Sequence, residues 1–362
     1  MHTRIPVFAR RCAAREAVAL ALGVFLALPA GLAAGDALTQ LSSFSLFSEV
    51  DLPKLLQGEV LTERGPITDF RRGISGQSCY VVRCAPAEVA AYIRTASPSI
   101  TNRTDSIYFH AKIDDPARSD ALAGIALDLP KSDVRRLVDR TMAVTAKSTD
   151  FCMSRTEGAR AEVQILDGKA KGMASDAIAK QVWTELLLGR LREFQEKGLG
   201  QVSPYDMERT PVSPSDEMRR LLEEEPEIQT QFQELLEETG LLPSKKETRR
   251  KSAGYAELMD AQIVATFDLG AVFEKPLPNG EFQVLDAQYY SSNAYYVMLT
   301  LFHLWPIQTE GGTATLVWRG DFLSAPLLDV TRGTARMAWG LVMMREIKQS
   351  IQNFQAKILK TP

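Results

Sequence analysis

The C-terminal third shows the clearest alternation of apolar and polar positions. Four successive segments predict strands with turn formers between them: 262–269, 281–290, 295–305 and 313–319. The connections are short, which favours antiparallel neighbours. Segment 295–305 is apolar at nearly every position, so we expect both of its faces to be covered, one of them by helix.

A long amphipathic helix is predicted after these strands, from Ser324 to about Lys360. Its apolar residues recur at steps of three and four: Ala335, Ala338, Trp339, Val342, Met343, Ile347, Ile351, Phe354 and Ile358. A helix of this kind after a strand meander must pack across the sheet to bury its apolar stripe.

The first part of the chain mixes strand and helix signals. Strands are predicted at 57–63, 77–83 and 106–112, and a helix at 85–94 that carries Pro86 near its start. Proline is tolerated there because its missing N–H would have no helical partner.

The middle of the chain is helical and polar. Helical spacing of apolar residues predicts helices at 132–144 and 174–196, and an acidic helix pair occupies 215–238. A basic cluster follows at 245–251; it either contacts anionic lipid headgroups or lies in solvent facing the acidic helices. The predicted class is therefore α+β, with zones at 40–113, 114–256 and 257–362.

Residues 1–34 have the three-part layout of a secretory signal peptide. An Arg-rich start precedes about a dozen uncharged residues and then a stretch of small residues around Ala33. The apolar run is shorter than the roughly 20 residues that span a bilayer, which favours cleavage near residues 33–37 over a retained anchor. The predicted location is the periplasm or the exterior.

Charge and composition narrow the function classes. The chain has 42 basic and 45 acidic residues, and the part beyond residue 34 is the more acidic. A mildly acidic body lacks the basic surface that nucleic acids require. Three His and four Cys, with no metal-binding spacing, predict no metal and no cofactor. Cys79, Cys84 and Cys152 either stay unpaired or include one disulfide to Cys152.

The order of elements resembles the START/Bet v 1-like (SRPBCC) superfamily. The resemblance rests on Val81-Val82-Arg83-Cys84-Ala85-Pro86-Ala87-Glu88-Val89, a strand turning into a first helix, and on the strand–helix junction from Thr313 to Phe354. It covers about half of the chain. It implies a helix-grip fold, in which an antiparallel sheet wraps the long C-terminal helix. On this interpretation the middle zone is a helical insertion; the alternative is a different α+β arrangement.

The resemblance also implies an apolar cavity between sheet and helix that holds a lipid or another hydrophobic small molecule. The candidate ligand-binding residues are Tyr296, Met298, Phe302, Trp318, Met337, Gly340 and Met344. Gly333 and Gly340 lie nearly on one helix face, so they mark either a close backbone approach or a space left for a ligand.

Two other functions remain open on the sequence alone. An enzyme could use the same cavity through His303 or His110 with a nearby Tyr or Asp, although no recognised catalytic motif is present and we assign no catalytic residue. A protein-interaction module of the cell envelope could use 215–251 as its contact surface.

Overall fold

A computed structural model describes residues 34–67, 69–95, 107–113, 119–147, 150–206, 211–244, 250–260 and 263–358. The predicted signal peptide and most of the basic cluster lie outside these ranges, whereas Arg250 and Lys251 lie within them. None of the described helices is long and apolar enough to cross a membrane.

Eight antiparallel strands form one open sheet with the order β1-β2-β8-β7-β6-β5-β4-β3. The strands are β1 Leu61–Arg64, β2 Gly73–Val82, β3 Ile107–Ile113, β4 Ala253–Met259, β5 Thr266–Pro276, β6 Phe282–Ser291, β7 Val297–Thr309 and β8 Gly312–Ser324. The meander β4–β8 follows chain order, and β2 joins it by pairing with β8 along its whole length.

Eleven α-helices lie in the described part of the chain. They are α1 Ala34–Phe44, α2 Leu52–Leu56, α3 Pro86–Thr95, α4 Ser132–Thr141, α5 Arg155–Ala170, α6 Ser175–Lys197, α7 Pro214–Glu223, α8 Pro226–Gln231, α9 Gln233–Glu238, α10 Pro326–Val330 and α11 Gly333–Ile358. Helices α4–α9 all fall between β3 and β4 in the chain.

The start of α3 explains the Ala-Pro-x-Glu sequence. Pro86 occupies the first helical position, where no backbone donor is needed. The Glu88 side chain turns back and accepts a hydrogen bond from the Ala85 backbone N–H at 2.9 Å. The motif therefore fixes the turn from β2 into α3.

The two faces of the sheet are covered by different helices. We call the side that packs on α3 and α11 the front face and the side that packs on α1, α2 and α4–α9 the rear face. Phe302 and Val317 belong to the front cluster, whereas Leu301 and Trp318 belong to the much larger rear cluster. Both faces of β7 are thus covered, as its apolar sequence predicts.

Helix α1 is part of the rear core. Ala37 and Leu41 are fully buried, and the Gln40 side chain accepts a hydrogen bond from the Trp305 indole at 2.7 Å. The folded body therefore includes residues at the end of the range in which we predicted signal cleavage.

Several predicted boundaries shift in the structure. Strand β4 was not predicted, and the boundary placed at 256/257 falls inside it. The strand predicted at 262–269 begins at Thr266 and runs on to Pro276. The long helix is interrupted before Gly333, whose φ of 53° lies in the left-handed region that favours glycine. Within the described part of the chain, Cys79, Cys84 and Cys152 form no disulfide, as in the first of the two alternatives.

Candidate functional site

A group of polar side chains lies on the front face and extends from β3 to β8. Strand alternation and cross-strand register put them on one side of the sheet. We call this group the front polar cluster; its members are His110, Tyr255, Glu257, Asp268, Asp286, Gln288, Tyr295, Thr300, Arg319 and Asp321.

Two carboxyl groups of the cluster face each other across neighbouring strands. Glu257 on β4 is the register partner of Asp268 on β5, and both are fully buried. Directly opposed like charges destabilise a sheet, so this pair favours a bound proton or a positive neighbour. On the other side of Glu257, the His110 ring lies with Nδ1 2.9 Å from Oε1.

A third buried carboxyl group, Asp286, is held by a tyrosine. The Tyr255 hydroxyl donates to Asp286 Oδ1 at 2.8 Å, and the ring of Tyr255 stacks on His110. Gly270 makes room for this ring, because a Cβ there would lie 2.1 Å from Tyr255 Cζ. Because Gly270 has no side chain, Tyr255 on β4 can extend over β5 and reach Asp286 on β6.

Burial dominates the protonation of these acids. Burial raises the pKa of Asp268 to about 7, although hydroxyl groups of Ser291 and Tyr295 act in the opposite direction. It likewise raises the pKa of Asp286 to about 7 against the effect of the Tyr255 hydrogen bond. Two carboxyl groups that change protonation near neutral pH are unusual and mark candidate functional groups.

The fourth carboxyl group is fully compensated. Arg319 binds Asp321 through two hydrogen bonds, of 2.8 Å and 2.7 Å, and Thr300 donates to the same carboxylate at 3.1 Å. The guanidinium also donates to Ser350 of α11 at 3.2 Å. Arg319 thus neutralises Asp321 and connects the cluster to the C-terminal helix.

The other three acids keep acceptor atoms without a protein donor. Asp286 Oδ2 and Glu257 Oε2 are buried and make no hydrogen bond, and neither residue forms an ion pair with a Lys or Arg of the described chain. A buried polar atom without a partner costs roughly 1–3 kcal/mol, more for a charged group. The cluster therefore offers acceptors for hydrogen-bond donors that the described residues do not provide.

The sequence-predicted ligand residues are divided between the two faces. Met298, Phe302 and Met344 lie at the front, whereas Trp318 and Tyr296 belong to the rear core. Tyr296 precedes β7 and stacks on Tyr205 of the rear segment. The seven residues therefore do not form one site.

Along α11 the predicted residues also separate. Met337 is 54 % exposed, and other apolar residues in the first half of this helix are exposed as well. A Cβ on Gly340 would meet the Arg64 side chain at 2.7 Å, and Met344 fills the space above Gly76. Gly340 thus serves a close approach between helix and sheet edge and leaves no gap there.

The two candidate histidines have different settings. His303 is buried in the rear core, stacked on Trp305, with Nε2 2.9 Å from Glu281 and Nδ1 3.2 Å from the Gln231 amide. Burial lowers its pKa. Both ring nitrogens are satisfied and the acids of the front polar cluster lie on the opposite face, so His303 has a structural role. His110 alone meets a carboxyl group of the candidate site.

The acidic helices contact the sheet rather than solvent alone. Glu217 of α7 binds Arg72 at 2.6 Å, and Glu225 accepts from Ser75 at 2.7 Å. Arg250, at the end of the basic cluster, pairs with Glu238 of α9 at 2.6 Å. Part of the interaction surface predicted at 215–251 is therefore occupied by contacts within the molecule.

Metal chemistry finds no support in the described residues, since no three His, Cys, Asp or Glu side chains among them are placed to hold an ion. No protein-family model matches the chain, and no curated protein matches it. The residues themselves must therefore indicate the function.

Proposed function

We propose that the chain is an exported START-like binding protein with a helix-grip fold and a large helical insertion between β3 and β4. The element order supports this: β2 turns into α3 at Ala-Pro-x-Glu, a meander follows, and α11 ends the fold on the front face. The antiparallel sheet and C-terminal helix are compatible with that fold.

The ligand we propose is a lipid or other hydrophobic small molecule with a hydrogen-bond-donating group, bound at the front face. One observation carries this proposal: the buried, unpaired carboxyl oxygens of Glu257 and Asp286 beside apolar side chains such as Phe302. Apolar burial would contribute about 25 cal/mol per Å² of ligand surface, and the acceptors would orient the polar end.

Native mass spectrometry of the protein purified without denaturant tests the proposal. We expect a bound small molecule that organic extraction releases. Titration with decanol and decylamine, each displacing Nile red, detects weaker ligands. Asp286→Asn should lower decylamine affinity at least tenfold at pH 8, whereas Glu225→Gln, a buried carboxyl group on the rear face, should not. An apo mass together with no saturable binding of either probe would contradict the proposal.

A second candidate function is proton transfer on a ligand bound at the same place. The two carboxyl groups with pKa values of about 7 support it, because a group that titrates near ambient pH can both accept and release a proton. Incubation of the extracted molecule with fresh protein separates the two functions. Proton transfer can rearrange a molecule without changing its mass, so the readout is its proton NMR spectrum. An unchanged spectrum supports binding alone; conversion that disappears in His110→Ala supports the enzyme.

A further inference from the structure

A separate cavity lies on the rear face of the sheet. It has a volume of about 450 Å³ and lies between α6 and strands β3–β6. Pockets that hold small molecules typically measure roughly 300–1,000 Å³. Its size alone therefore permits a ligand of two fused rings or a medium-length chain.

One wall of this cavity is apolar and aromatic. Phe194 of α6 stacks on Tyr289 of β6 with ring centroids 4.3 Å apart and planes inclined by 10°. Phe273 meets Phe194 edge-on, and Leu191 and Ile113 extend the wall. Such a surface fits a flat or aliphatic body.

Tyr289, a residue of the lining, carries a hydroxyl group without a hydrogen-bond partner. The side chain is fully buried. Buried tyrosine hydroxyls usually find a partner, because an unpaired one costs free energy. This orphan group is independent of the cavity's shape and indicates a ligand with an acceptor atom.

Positive charge forms another part of the lining. Arg250 and Lys251 both line the cavity. Arg250 also binds Glu238, and Lys275 lies 3.8 Å from that carboxylate and itself binds Glu234, so these two basic side chains are balanced by two acidic ones. Lys251 is exposed and adds a further positive charge. The net positive charge of these groups favours the binding of an anion.

We propose that this rear cavity binds a small organic anion with an aromatic or aliphatic body. The body lies against Phe194 and Leu191, the anionic group lies near Arg250 and Lys251, and an acceptor atom receives the Tyr289 hydroxyl. This site is on the other side of the sheet from the front polar cluster. The inference does not depend on the ligand proposed for that cluster.

Two matched fluorescent probes test this inference on the full protein. 1-Anilinonaphthalene-8-sulfonate carries the anion, and N-phenyl-1-naphthylamine has the same ring system without it. We expect the sulfonate to bind with one-to-one stoichiometry. Lys251→Glu should weaken it at least tenfold, and higher salt should weaken it too. Lys54→Glu, an exposed charge reversal on α2, should leave its affinity unchanged.

Tyr289→Phe and Leu191→Trp complete the test. Tyr289→Phe should weaken the sulfonate several-fold, and Leu191→Trp, which fills the cavity, should abolish its binding while thermal unfolding stays cooperative. Because Lys251 is exposed, its variant should fold normally even if the Trp variant does not. Sulfonate affinity that is the same in Lys251→Glu and Tyr289→Phe as in the parent would overturn the inference, whatever binds at the front face.

Discussion

Buried carboxyl groups occur on both faces of the sheet, but they are used differently. At the rear, Glu217 receives donors from Arg72 and Ser324, and Glu225 receives one from Ser75. At the front, Glu257 and Asp286 keep oxygens that no described donor reaches. The rear acids attach the helices to the sheet, whereas the front acids carry a free-energy cost that no described residue offsets. This difference is the basis of the ligand site that we propose at the front.

The largest effect should come from the rear core. Trp305→Ala removes a fully buried indole, its stack on His303 at 4.1 Å and its hydrogen bond to Gln40. We expect a loss of about 3–5 kcal/mol in the free energy of unfolding. Urea denaturation measures it. A loss below about 1 kcal/mol would mean that the rear core does not carry the stability of the fold.

A smaller effect of opposite sign should come from the front. In Asp286 the folded-state pKa of about 7 exceeds the unfolded value, so the folded protein holds this proton more tightly. Stability from this group is complete below about pH 4 and declines as the pH rises through 7. Asp286→Asn cannot ionise and retains the acceptor for Tyr255, so it should be more stable above pH 7, by about 4 kcal/mol at most.

Thermal unfolding of Asp286→Asn and the parent at pH 4, 6 and 8 checks this prediction. The two proteins should have similar midpoints at pH 4 and should separate as the pH rises. Equal midpoints at every pH would show that Asp286 ionises without cost, and the contrast between the two faces would then disappear.

The smallest effect should come from the cap of α3. Glu88→Ala removes the acceptor for the Ala85 backbone N–H and should cost about 0.5–2 kcal/mol. Glu88→Gln keeps an acceptor and should lose less. The difference in urea midpoint between the two variants measures the cap. Identical midpoints would mean that Glu88 does not stabilise α3 by capping its first turn.

The strands of the meander and the last helix could be predicted because their apolar periodicity is long and regular. Strand β4 could not, because it begins with Ala253 and Gly254 and follows a charged stretch that is typical of a loop. Gly270 and Tyr255 form one unit only through cross-strand pairing, which no local pattern reveals.

The candidate site was missed for a related reason. Alternation separates Asp286 and Gln288 from Leu285 and Ala287, but polar positions in a strand usually face solvent. The sequence therefore predicted a site among apolar residues such as Trp318 and Met337. In the structure these polar positions are buried as well. Trp318 proved to be rear core and Met337 exposed, because the faces of β8 and α11 depend on packing that sequence does not specify.

The pairing of β2 with β8 also has a consequence for the time course of folding. Cys79 lies opposite Trp318, and Ile74 lies opposite Leu323. Strand β2, early in the chain, therefore cannot pair on this side until β8 has formed. Contacts between such distant segments form slowly because a long loop must close first. During synthesis from the N-terminus, β2 would have only the short β1 as a strand neighbour until β8 had been made. Holding that strand apart from other chains during the interval is then a requirement of this fold's topology.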